Sequence, residues 1–274
     1  MFCGGNLTVR KKVSEHVILY LDILGYEDII KSCEKRGKTE DDYLQEVDKL
    51  MSDLASHIDA RNKETSEKTG LDLSSFRYRI FSDNIVFFAP IKDDDKLGIE
   101  RSNLGINLLY GLSEFLFSYN KTELFFRGAI TCGKLYYNHD IGLLFGTGLV
   151  KAYHLENEIA IFPRIVIDEP FRPDGLVIGI ARGHDGIGFL DYLSLFAHPI
   201  NVDIEVEEWR KHIRPYIQNF AQAISNAIKT YCEIPKIYQK YTYLAQYLNW
   251  FCNNNDFSEY TIPIETIIHT KTNS

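Results

Sequence analysis

Residues 76–91 read FRYRIFSDNIVFFAPI, and this stretch decides between two fold classes. Two runs rich in aromatic and β-branched residues, Arg77 to Phe81 and Ile85 to Ala89, flank the triplet Ser82-Asp83-Asn84. Short polar side chains that bond to their own nearby backbone favour turns, so the pattern predicts a hairpin. Strands joined by so tight a turn must run antiparallel, because parallel neighbours need a crossover of about a dozen residues or more.

Working toward the N-terminus, HVILYLDILG (residues 16–25) predicts a buried strand over Val17 to Ile23 that ends at Gly25. Tyr43, Val47, Leu50, Leu54 and Ile58 recur every three or four residues and predict a helix from about 41 to 60. Residues 61–75 read as a polar connection. Beyond the hairpin, Lys92 to Lys96 reads as a charged loop, and Leu104, Leu108, Leu112, Phe115 and Leu116 mark a helix over 101–119. Strands follow at 124–132 and 134–138, broken at Gly133. A helix over 147–157 comes next, with Gly148 weakening its first turn, and then a strand over 159–168. This order describes an α+β, ferredoxin-like βαββαβ core with an antiparallel sheet rather than a doubly wound parallel one. No G-x-G-x-x-G follows a strand, and no Walker A sequence is present.

The 274 residues then divide into a core (15–170), peripheral strands and loops (171–205), and a helical extension with a tail (206–274). In the extension, Trp209, Ile213, Ile217, Phe220, Ile224, Ile228 and Tyr231 mark one amphipathic helix, and 238–251 a second. A formal charge of -8 argues against a broad nucleic-acid-binding surface but leaves room for a basic pocket holding one nucleotide. The five cysteines are widely spaced, with no C-x-x-C pair, so reduced thiols in a cytoplasmic protein are expected. The N-terminus lacks the order of a signal peptide, and no apolar run approaches the roughly 20 residues that span a bilayer.

Chemistry is expected at two carboxylates. Asp22 interrupts an intensely apolar strand, where an unpaired carboxylate is costly, and Asp83 sits in the hairpin turn. In a βαββαβ core the first strand lies beside the hairpin, so both carboxylates reach one edge. Such hard oxygen ligands, with phosphate oxygens, suit Mg²⁺ or Mn²⁺. Backbone N–H groups of Ile23, Leu24, Gly25 and Tyr26 are placed to meet a triphosphate.

YLDILGY (20–26), RIFSDNIVF (79–87), FFRGAITCG (125–133) and FGTGLVKAYHLE (145–156) together resemble the motifs of class III nucleotidyl cyclase catalytic domains. The resemblance covers residues 15–170. It is nearest to the pyrimidine nucleotide cyclases of the bacterial Pycsar antiphage system. It implies a homodimer, with active sites at the interface, that converts UTP or CTP to the 3′,5′-cyclic monophosphate and pyrophosphate. The product would act on a separate effector. Two ions, Mn²⁺ or Mg²⁺, would be held by Asp22, Asp83 and the Ile23 carbonyl. Arg127 falls near the phosphate-contacting arginine, with Lys151 and Arg164 as further phosphate candidates. Arg79 falls at the base-selecting lysine, and Thr147 at the second base-contacting position.

Two positions depart from the family. Val150 stands where an Asn is usual, and His154 where the transition-state Arg is usual. A catalytically inactive homologue acting as a nucleotide sensor or scaffold is the alternative. A metal-dependent nuclease or polymerase-like palm is a third reading, disfavoured by the acidic surface. Neither a polymeric nucleic acid nor membrane insertion is expected.

Overall fold

The structure is a computed structural model, and it describes residues 13–27, 31, 40–69, 76–92, 99–118, 125–168, 179–197 and 205–264. The expected Leu124 strand start, two of the cysteines (Cys3 and Cys33) and the tail from 265 lie outside the described residues.

The central strand is β1 (Ser14–Leu24). Val17, Leu19, Leu21 and Ile23 point into the main core, and Ile18 and Tyr20 into a second cluster on the other face. Both faces are covered, which explains an uninterrupted apolar run instead of alternation. The hairpin is formed by β2 (Arg77–Phe81) and β3 (Asn84–Pro90), with Ser82 at φ +57 in the turn between them. Helices α1 (Glu40–Thr69) and α2 (Ile99–Ser118) make the two crossovers. The long strand β4 (Phe125–Asn138) lies on the other side of β1, antiparallel to it.

The sheet order is β2-β3-β1-β4-β6-β8-β7, adding β6 (Ile165–Ile167), β7 (Ile180–Arg182) and β8 (Gly188–Leu190). The short β5 (Leu143–Phe145) pairs with the end of β4. The β2-β3-β1-β4 portion is antiparallel throughout, and β6 joins β4 in parallel. The fold is therefore α+β, with the ferredoxin-like core expected from the hairpin.

Three local expectations are corrected. The helix expected over 41–60 runs to Thr69, so most of the supposed polar connection continues α1, where buried Asn62 accepts from Asn107 Nδ2 at 2.9 Å. Gly133 does not break β4. A side chain there would begin 2.6 Å from the Gly148 Cα, so the two glycines instead let α3 (Thr147–His154) sit directly on the strand. The strand expected over 159–168 shrinks to Ile165–Ile167, because residues 155–159 form a π-helical turn extending α3.

Helices α4 (Tyr192–Ala197), α5 (Val206–Thr230) and α6 (Pro235–Asn254) close the main core opposite α3. The Tyr247 hydroxyl donates to Asp191 Oδ1 at 2.7 Å and accepts the Leu193 N–H at 3.0 Å, tying α6 to the start of α4. Among the described residues, no helix is long and apolar enough to cross a membrane.

Candidate active site

Asp22 lies two residues before the end of β1, opposite Asn84 on β3 and Arg127 on β4. Asp83 immediately precedes Asn84, and its carbonyl accepts the Ile23 N–H at 2.9 Å. The register of three adjacent strands thus brings Asp22, Asp83 and Arg127 to one end of the sheet. Arg127 Nε donates to Asp22 Oδ2 at 2.6 Å, and its Nη2 lies 2.7 Å from Glu156 Oε1. One guanidinium holds two carboxylates.

Glu156 is a site residue that spacing did not single out. It is 3% exposed and enters from the π-helical turn, where its carboxylate meets Arg127 on β4. Its Oε1 meets Arg127 as an ion pair without hydrogen-bond alignment. Burial, opposed by Arg127 and reinforced by Asp22, pushes the Glu156 carboxyl up to about 7. Burial likewise pushes the Asp22 carboxyl up; Arg127 opposes this and Asp83 adds to it. The two aspartates feel each other, as carboxylates sharing a cation site do.

Asp22 and Asp83 fit a hard divalent ion. Asp22 keeps Oδ1 outside its bond to Arg127, while Asp83 Oδ1 accepts from Asn84 Nδ2 at 2.8 Å. Among the described residues, no cluster of three or more His, Cys, Asp or Glu forms. The remaining oxygens for six-fold coordination would come from phosphate and water. Beside these carboxylates, Ile23 and Leu24 are buried, and Gly25 turns the chain at φ +79 to Tyr26.

The other expected residues are placed differently. Arg79 on β2 donates to the Tyr137 hydroxyl and lies over its ring at 4.7 Å, on the same sheet face as Tyr20. Thr147 opens α3 and is exposed. Lys151 pairs with Asp168, which also accepts from Thr131 Oγ1 at 2.5 Å. His154 is exposed and lies 3.1 Å from Glu158 Oε1. Arg164 is 4% exposed, donates to Asp185 at 2.5 and 3.1 Å, and bonds the Ile159 carbonyl at 3.1 Å. It fastens the π-helical turn to the β7–β8 loop.

The sequence matches no protein-family model and no curated protein. Among solved structures, the chain is similar to the monomeric guanylyl cyclase domain of the RhoGC fusion protein from the aquatic fungus Blastocladiella emersonii. Identity is 13%, covering 65% of this chain and 95% of that one, with a TM-score of 0.43. It is also similar to the adenylyl cyclase CyaB from P. aeruginosa, at 11% identity, 71% and 98% coverage and a TM-score of 0.41. Similarity at this level leaves the role of each residue to the geometry above.

Proposed function

We propose that this chain is a metal-dependent nucleotidyl cyclase. It converts a pyrimidine nucleoside triphosphate, UTP in preference to CTP, to its 3′,5′-cyclic monophosphate and pyrophosphate. The observation that carries the reading is the meeting of Asp22 and Asp83 at neighbouring strand ends, beside the turn at Gly25. The motif resemblance supplies the pyrimidine preference and the role as second-messenger source in antiphage defence, with a separate effector downstream.

In the reaction the ribose 3′-oxygen bonds to the α-phosphorus, the bond from that phosphorus to the β-bridging oxygen breaks, and the 3′-OH proton passes to solvent. The reaction is intramolecular, so holding the geometry matters more than a strong base. Asp22, Asp83 and the Ile23 carbonyl would hold two Mn²⁺ or Mg²⁺ ions, whose chemistry is to acidify the 3′-OH and neutralise phosphate charge. Arg127 fixes Asp22 and lends its guanidinium to the phosphate side. The Gly25 turn offers backbone N–H groups to the phosphates. Arg79, stacked with Tyr137, borders the base side, and Thr147 adds a hydroxyl.

The outward side of α3 carries exposed Val150 and Tyr153, near exposed Leu143 and Phe145 of β5. This apolar surface fits a second copy of the chain, and His154 would then act across the interface. The test is incubation of purified protein with ATP, GTP, CTP or UTP plus Mn²⁺, and identification of products by mass. Cyclic UMP or cyclic CMP is the expected product, and a purine cyclic nucleotide as sole product would overturn the pyrimidine assignment. The inactive-homologue reading is favoured by one observation, that Asp22 is already neutralised by Arg127. It predicts nucleotide binding with no product from any of the four.

A further inference from the structure

Helix α6 reads in the sequence as supporting structure, but its second turn lies against the site. The Tyr241 hydroxyl stands 4.0 Å from where a side chain on Gly25 would begin. Its ring packs on Phe125, at the start of β4, with centroids 5.5 Å apart. Two residues on, Tyr243 stacks on Phe162 at 4.7 Å and lies beneath Arg164. Between these anchors Lys240 is half-buried, close enough to Asp22, Arg127 and Glu156 to feel the charge of each. Lys236, one helical turn earlier, is exposed and near enough to act on Lys240 as well.

The other cations around the site each already hold a partner. Arg127 spans Asp22 and Glu156, Lys151 pairs with Asp168, Arg164 with Asp185, and Arg79 bonds Tyr137. Lys240 makes no hydrogen bond or close ion pair among the described residues. It is a partly buried ammonium on the side of α6 that faces the site, and a bound anion would compensate the loss of its hydration. A nucleoside triphosphate carries more negative charge than two divalent ions neutralise beside three carboxylates. A compact ammonium near the Gly25 turn supplies what is missing.

We propose that Lys240, seconded by Lys236, binds the terminal phosphates of the nucleotide, so that the C-terminal helix pair is part of the active site. The inference rests on the cyclase reading for the identity of the phosphate ligand.

The test is calorimetric titration of the full chain with inorganic tripolyphosphate in Mg²⁺, alongside steady-state kinetics on the nucleotide that is turned over. Lys240→Gln is expected to weaken tripolyphosphate binding and raise KM about tenfold, a loss of about 1.4 kcal/mol, with kcat changed far less. Lys240→Arg should restore most of the affinity. Lys211→Gln, an exposed lysine on α5, should behave as wild type. Wild type that does not bind tripolyphosphate overturns the proposal. So does Lys240→Gln that is less heat-stable but binds like wild type, since that is a structural role. Binding that depends on Lys240 in a protein making no cyclic nucleotide supports the phosphate site while removing the cyclase reading.

Discussion

The chemistry of individual residues depends on how far each charge is from water. Asp22 is 13% exposed in its side chain, and Glu156 only 3%. Both are tolerable because Arg127 stands between them. Asp83→Asn removes one of the two proposed metal carboxylates, so turnover should fall by about 100-fold or more, while loss of a like charge near Asp22 lets the melting temperature hold or rise. Retention of normal turnover would dismiss the paired-carboxylate site. His16 offers a separate test far from that chemistry. It is 7% exposed, and burial lowers its pKa despite a 2.8 Å contact to the Ser14 carbonyl. Because the folded value lies below the unfolded one, the unfolded chain takes up the proton first as pH falls. The stabilisation is therefore complete above the unfolded pKa and is lost as pH drops below it. Stability measured from pH 7 to 5 should decline less steeply in His16→Gln than in wild type.

At the scale of elements, the contact of α3 with β4 is decided by two glycines. A methyl at Gly148 would meet Ile18 Cδ1 at 2.6 Å and the Gly133 backbone at 2.8 Å, so helix and strand would have to part. Gly148→Ala is expected to cost about 1–3 kcal/mol in chemical denaturation and to displace Glu156 downstream. A second element-level joint is the Arg164–Asp185 pair, buried on the arginine side and 43% exposed on the aspartate side. Asp185→Ala strands a buried guanidinium and should destabilise by about 3 kcal/mol, read as a lower denaturation midpoint. The same joint explains why Arg164, a reasonable phosphate candidate by charge and position, is occupied: its guanidinium holds the end of the π-helical turn.

For the whole molecule, the helices after residue 205 are not an ornament on a finished core. Ile213, Ile217, Ile224, Leu248 and Phe251 are fully buried, and Phe125 packs against both Phe220 and Tyr241. Truncation near residue 200 should leave protein that aggregates or stays in the insoluble fraction; a soluble, cooperatively folding fragment would contradict this packing. The opposite face carries the exposed apolar surface of α3 and β5. If the proposed second copy seats on that surface, Val150→Asp should shift the chain toward monomer in sedimentation, with loss of activity if His154 serves the partner's site.

Local chemistry was enough for the hairpin at Ser82–Asn84, the buried β1 strand, the α+β order and the suspicion falling on Asp22 and Asp83. Each follows from side-chain preferences within about ten residues. Glu156 and Lys240 were not legible, because neither has a local signature. An acid after a helix and a lysine on an amphipathic helix look the same whether solvated or buried. Only packing could decide that a π-helical turn brings Glu156 to Arg127, and that the α6 segment carrying Lys240 and Tyr241 approaches the Gly25 turn. Local side-chain pattern decided the order of the core elements, though not the unbroken length of β4 or the π-helical turn that replaces part of an expected strand. The tertiary structure decided which charges share a low-dielectric space, because that depends on distances between segments more than a hundred residues apart, such as Asp22 and Arg127.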